Sequence, residues 1–194
     1  MSSSIDQLLD TLDRRIVVLD GAMGTMIQGL GLTEEDFRGP RFADHGPSLR
    51  GCSDVLALTQ PDAITGIHLQ FLRAGADIVE SNSFTATSIA LADYDLADHV
   101  HAINVAAATC ARRAADQAAA EDGRPRWVAG SMGPTTKSAS LSPDVNDPGF
   151  RAVTFRQLVD AFKAQAIEKV RVLTHVPAID ALVLLDLLFF VFVV

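Results

Sequence analysis

Cysteine is scarce in this sequence: only Cys52 and Cys110 occur, far apart and with no Cys-x-x-Cys pair. That excludes a disulfide framework and a zinc knuckle built on paired cysteines. Positive charge is thin as well, with 16 Lys and Arg against 24 Asp and Glu and a formal net charge of -8. Nucleic acid and anionic membrane both demand clustered cations to neutralise phosphate, so neither is an expected partner. The arginine pairs Arg14, Arg15 and Arg112, Arg113 have no interleaved aromatics and read as solvated element ends. The N-terminus, MSSSIDQLLDTLDRR, lacks the basic start and apolar run of a signal peptide, which makes a reducing cytoplasm the expected location. No Gly-x-Ser-x-Gly elbow and no His-Glu-x-x-His appears. His45, His68, His99, His101 and His175 lack ligand-like spacing, and each reads as a surface or packed residue.

A membrane-length apolar run is missing too. The stretch from Ala181 to Val194, ALVLLDLLFFVFVV, carries Asp186 and falls short of the roughly 20 residues a span requires. Its first half reads as a buried strand, and its FFVFVV end as an aggregation hazard.

What is present is an alternation of strand and helix signals. Four short apolar runs rich in β-branched residues predict strands at Ile16 to Asp20, Asp77 to Glu80, Trp127 to Ser131 and Ala181 to Leu185. Continuous apolar runs suit a parallel sheet buried on both faces. Between them, Pro61 to Ala74 predicts a helix that starts on proline and stops before Gly75. Leu96 to Glu121 predicts an Ala-rich helix closed by Asp122-Gly123. Phe155 to about Val170 predicts a third, with Leu158, Val159, Phe162 and Ala166 on one face. Thr154 and Gln157 have the spacing of a capping box ahead of it. Two long loops remain, Arg38 to Gln60 and Met132 to Val153.

The class is therefore α/β, built of βαβ units. Barrel enzymes place their chemistry on loops at the C-terminal ends of strands. The turn Asp20-Gly21-Ala22-Met23-Gly24-Thr25 follows the first predicted strand without the lysine of a P-loop. A carboxylate beside exposed N–H groups suits a zwitterion, with Asp20 on the ammonium and the amides on the carboxylate. Equally, Asp20 could serve only to cap the turn. Glu80 ends the second strand, and its position favours a cavity-facing role. Ser131 ends the third, ahead of Gly133-Pro134-Thr135.

Four stretches in order resemble one family. They are VVLDGAMGTMIQ (17–28), DFRGPRFADH (36–45), GADIVESNSFTATSIALADY (75–94) and VAGSMGPTTKSASLSPDVNDPGFRAVTFRQLVDAF (128–162). Together they are similar to the homocysteine-binding domain of cobalamin-dependent methionine synthase, in the homocysteine S-methyltransferase family. The segment PDVNDPGFR carries the most specificity within that resemblance.

The resemblance implies the N-terminal half of a (β/α)8 TIM barrel, about four β/α units, open and incomplete, over residues 1–166. Residues 167–194 read as a divergent apolar tail that includes a degraded fourth strand. The implied activity is methyl transfer from methylcobalamin to the zinc-bound thiolate of homocysteine, giving methionine. Asp20 and Gly21 are implied to sit against the amino-acid end of homocysteine, with Glu80, Asn82, Phe84 and Ser131 lining the same pocket. Cobalamin and folate modules of the same polypeptide are the implied partners. The family's zinc ligands are three cysteines on later motifs, and Cys52 and Cys110 match none of them. The expectation is thus a chain that lacks its zinc ligands and is inactive alone. A Glu-Thr pair should end the fourth strand, where ALVLLDLLFF stands instead. Two rivals remain: a non-catalytic module that pairs through its sheet edge or apolar tail, and a barrel methyltransferase for a related thiol or selenol.

Overall fold

The computed structural model describes residues 4–174. Within them the chain is mostly helical around a small parallel sheet, an α/β arrangement. Helix α1 (Ser4–Leu12) leads into an extended segment and then α2 (Met23–Gly29). The predicted loop from Arg38 to Gln60 is densely folded. It follows α3 (Glu34–Arg38), holds two 3-10 turns at Pro40–Phe42 and Ser53–Val55, and ends in α4 (Leu56–Thr59). The reason is apolar content: Phe42, Leu49, Cys52, Val55 and Leu56 are all buried there.

Helix α5 (Pro61–Ala74) has the predicted limits, with proline in its first turn and Gly75 at φ 116° closing it in the left-handed region. It feeds β1 (Ile78–Glu80), after which comes the short α6 (Ser88–Leu91). Helix α7 (Val100–Asp122) starts later than its apolar pattern predicts, because Ala97–His99 forms a 3-10 turn instead. Gly123 closes it at φ 73°. Its buried stripe is almost all alanine, from Ala107 through Ala118, which lets the α7 backbone approach closely. Strand β2 (Trp127–Ala129) follows, then an irregular stretch and α8 (Phe155–Thr174).

Strands β1 and β2 pair in parallel with Ile78 opposite Trp127 and Glu80 opposite Ala129. The first predicted strand is reduced to one parallel bridge, Leu19 to Ile78. Its backbone still runs alongside β1: Ile78 N–H donates to Val18 O (3.1 Å) and Asp20 N–H to Ile78 O (3.0 Å). The expectation that this run is buried on both faces does not hold, since Ile16 is 85% exposed and Val18 49%. Among the described residues it has a neighbour on one side only. The fourth predicted strand lies outside the described residues.

Two apolar clusters hold the elements together. One joins α2, the 38–60 region, α5 and the start of α7; the other sandwiches Leu69, Leu72 and Val79 against the alanines of α7. The capping box forms as the spacing predicts: Thr154 N–H donates to Gln157 Oε1 (2.8 Å) and Gln157 N–H to Thr154 Oγ1 (3.2 Å). Among the described side chains of α8, Ala161 and Gln165 are buried, whereas Val159 stands 44% exposed.

At the N-terminal end of the sheet, Asp77 is a clasp. Its carboxylate accepts two hydrogen bonds from Arg15 (2.7 Å each), one from Val18 N–H (3.0 Å) and one from Arg124 (3.1 Å). The Arg15 guanidinium is the main reason that Asp77 titrates at about 2, with Val18 N–H and Arg124 adding to it. Arg15 is thus an anchor and not only a solvated element end.

Candidate substrate site at the strand C-termini

Because the three extended segments run parallel and in register, their C-terminal ends meet on one edge. Asp20, Glu80 and Ser131 sit at those ends, the usual place for a ligand in such sheets. They line one cleft of about 390 Å³ together with Gly21, Asn82 and Phe84, within the size range of small-molecule sites. All six residues that the sequence nominates are therefore brought together.

Hydrogen bonds fix the rim. Asp20 Oδ1 accepts from Glu80 N–H at 2.9 Å, so the first carboxylate is tied to the end of β1. The capping alternative for Asp20 is not realised: the residue at the head of α2 is Ala22, with φ 51°, and no side chain caps it. Ser131 Oγ donates to Glu80 Oε2 (3.3 Å), and Ser131 N–H donates to Ser81 Oγ (3.1 Å). Asn82 is buried and donates from Nδ2 to Ser53 O (2.8 Å), so its amide braces the loop before α4. Phe84 is 46% exposed, with its ring beside Gly133, whose N–H donates to Phe84 O (2.8 Å).

Four features of the site escape a reading of the sequence. Asp54 lines the cleft from the 3-10 turn and accepts from Thr85 N–H (3.1 Å) and Thr85 Oγ1. Ser81 and Ser83 share a buried 2.8 Å hydrogen bond beneath the rim. Gln165 reaches in from α8 and donates to Ser83 O at 2.7 Å. His68 on α5 is wholly buried, with Nδ1 3.9 Å from Asp20 Oδ2. Asp54 and Gln165 have no local motif, so only the fold could bring them here.

Electrostatically the cleft is one-sided. Asp20, Asp54 and Glu80 line it, and no Lys or Arg does among the described residues. Such a lining draws a cationic group and repels a free anion.

Zinc does not fit the residues at hand. Among the described residues no three His, Cys, Asp or Glu side chains are grouped to hold a metal. Both cysteines are buried away from any such role. Burial, with Asp54 nearby, pushes the Cys52 thiol up to about 12. Burial likewise raises that of Cys110, and its Sγ faces Pro61 O at 3.6 Å. Neither supplies a thiolate at neutral pH. No helix among the described residues is long and apolar enough to cross a membrane.

The parallel sheet with an acidic cleft at its C-terminal edge makes this an α/β chain with an opening of small-molecule size at its strand ends. Residues 17–185 match the family described as Homocysteine S-methyltransferase, and the chain belongs to that family. Among solved structures it is similar to the homocysteine methyltransferase MmuM from Escherichia coli. With the oxidized form it shares 29% identity over 63% of this chain and 39% of that one, at a TM-score of 0.51. With the metallated form it shares 23% identity over 84% of this chain and 53% of that one, at a TM-score of 0.62, a likeness of fold. The chain thus spans about half the length of that protein or less.

Proposed function

We propose that this chain is the N-terminal portion of a homocysteine S-methyltransferase barrel, and that its cleft binds the amino-acid end of homocysteine. One observation carries the reading: three carboxylates converge on the cleft, with no cation among the described lining residues. An α-ammonium satisfies that field. Asp20 and Glu80 take the ammonium, Ser131 holds Glu80 in place, and Asn82 keeps the adjoining loop closed. The first-turn N–H groups of α2, beside Gly21, have no partner within the helix and receive the ligand carboxylate. Phe84 covers the aliphatic part of the ligand and limits water access to it.

In this reading the thiol points away from the acids, toward the part of the site where methyl transfer takes place. The finer assignment is a methionine synthase, in which methylcobalamin on a separate module supplies the methyl group and a folate module serves the cobalamin. It is supported by the segment Pro143 to Arg151, PDVNDPGFR. The residues described here bind and orient the substrate, and none of them performs the transfer. Residues 1–166 form the proposed barrel portion, although α8 runs without a break past that limit.

Calorimetric titration of the 194-residue chain with L-homocysteine tests the reading. Saturable binding is expected, weakened at least ~10-fold in Asp20→Ala by loss of a charge-assisted contact. Unchanged affinity in that variant would remove Asp20 from the site.

A further inference from the structure

His68 is the one buried side chain whose polar atoms all lack a hydrogen bond among the described residues. Asn104, Arg126 and Gln165 each have an unpartnered atom too, but each makes at least one other hydrogen bond. A buried donor or acceptor left without a partner gives up the hydrogen bonds it had with water, so a helix that only needed to fill space here would do better with leucine. Along the buried face of α5 the neighbours Ile64, Ile67, Leu69 and Leu72 are apolar, and the one polar neighbour, Thr65, donates its hydroxyl to Pro61 O (2.8 Å). The imidazole instead lies behind the cleft, its Nδ1 3.9 Å from Asp20 Oδ2, with both side chains almost fully buried. Asp20 Oδ1 is already committed to Glu80 N–H at 2.9 Å.

We infer that His68 is a positioning residue for Asp20: its Nδ1–H, aimed from beneath the cleft at Asp20 Oδ2, sets the plane of the carboxylate that receives the ligand ammonium. A rotation of the carboxylate that brings the two atoms about 1 Å closer completes an ordinary hydrogen bond. The carboxylate is then held from two sides, by β1 through Glu80 N–H and by α5 through His68, and its remaining lone pairs face the cleft. This inference rests on the reading that the cleft takes the amino-acid end of homocysteine.

The test has a ligand-free arm and a ligand arm. In the 194-residue chain labelled with [15N]histidine, long-range 15N–1H correlation spectra report which ring nitrogen of His68 carries the proton, with His68→Asn supplying the assignment. A protonated Nδ1 whose signal moves in Asp20→Asn is expected. A bare Nδ1 with the proton on Nε2 would overturn the inference. In the second arm, L-homocysteine is compared with 4-mercaptobutanoate, which keeps the thiol and carboxylate but lacks the amine. His68→Leu is expected to lose ~10-fold in homocysteine affinity, with 4-mercaptobutanoate changed by less than ~2-fold, and His68→Asn to recover most of the loss through its δ-position donor. Equal losses for both ligands would mean a packing role and would sink the assignment. A wild-type chain that binds neither thiol overturns the homocysteine reading, and the His68–Asp20 pairing then stands or falls on the tautomer.

Discussion

Gly133 lies where the chain turns after β2, and a β-carbon added there would run into the ring of Phe84. The ring is half exposed, so it can swing aside where a core residue could not. Gly133→Ala should therefore cost stability only at the low end of overpacking, about 1 kcal/mol, yet pull Phe84 off the cleft. The expected outcome is a several-fold loss of homocysteine affinity with a melting temperature near that of the wild type. A variant with wild-type affinity would show that Phe84 does not cover the ligand. In the sequence, Gly133-Pro134 reads only as a turn, because the clash depends on a residue 49 positions earlier. Asp20 and Glu80 were legible because each stands at the end of a β-branched run, where strand polarity alone decides which edge it faces. Asp54 was not, because its loop carries no periodic signal, and His68 looked like any histidine on an apolar helix face.

At the level of elements, local signals carried as far as the helices they cap. Pro61 with Gly75, Gly123, and the Thr154–Gln157 pair each mark an observed helix end, since first-turn and C-terminal chemistry acts within four residues. Strand lengths were not legible in the same way. A strand exists only through its neighbours, and the 16–20 segment keeps a single bridge for want of a second one among the described residues. The α8 cap has a consequence for the cleft, because Gln165 on that helix holds Ser83 O. Thr154→Ala should cost about 1 kcal/mol in urea unfolding, and Thr154→Ser close to nothing. Indistinguishable unfolding of the alanine variant and the wild type would mean that α8 is held by packing alone.

Across the whole molecule, the two ends of the sheet divide the work. The N-terminal end is clasped by Asp77, and the C-terminal end opens onto the acidic cleft. Asp77 titrates at about 2 in the folded chain, against an ordinary 3.8, so its contribution is complete above pH 4 and fades as the pH falls toward 2. Asp77→Asn should lower stability at pH 7 by about 2 kcal/mol, less than the roughly 3–5 of a fully buried pair because both arginines keep contact with water. The same variant should flatten the acid limb of the stability curve between pH 4 and 2. A wild-type acid limb in Asp77→Asn would place that proton uptake elsewhere.

The family and its parallel architecture were legible because four long motifs survive in order. How the strand ends close into a single acidic cleft had to come from the fold. A crystal structure of the 194-residue chain grown with L-homocysteine tests the central claim most directly. The account predicts the ligand in the cleft, its ammonium within hydrogen-bond reach of Asp20 and Glu80 and its carboxylate at the head of α2. A ligand bound elsewhere, or one with its carboxylate turned toward the acids, would contradict it.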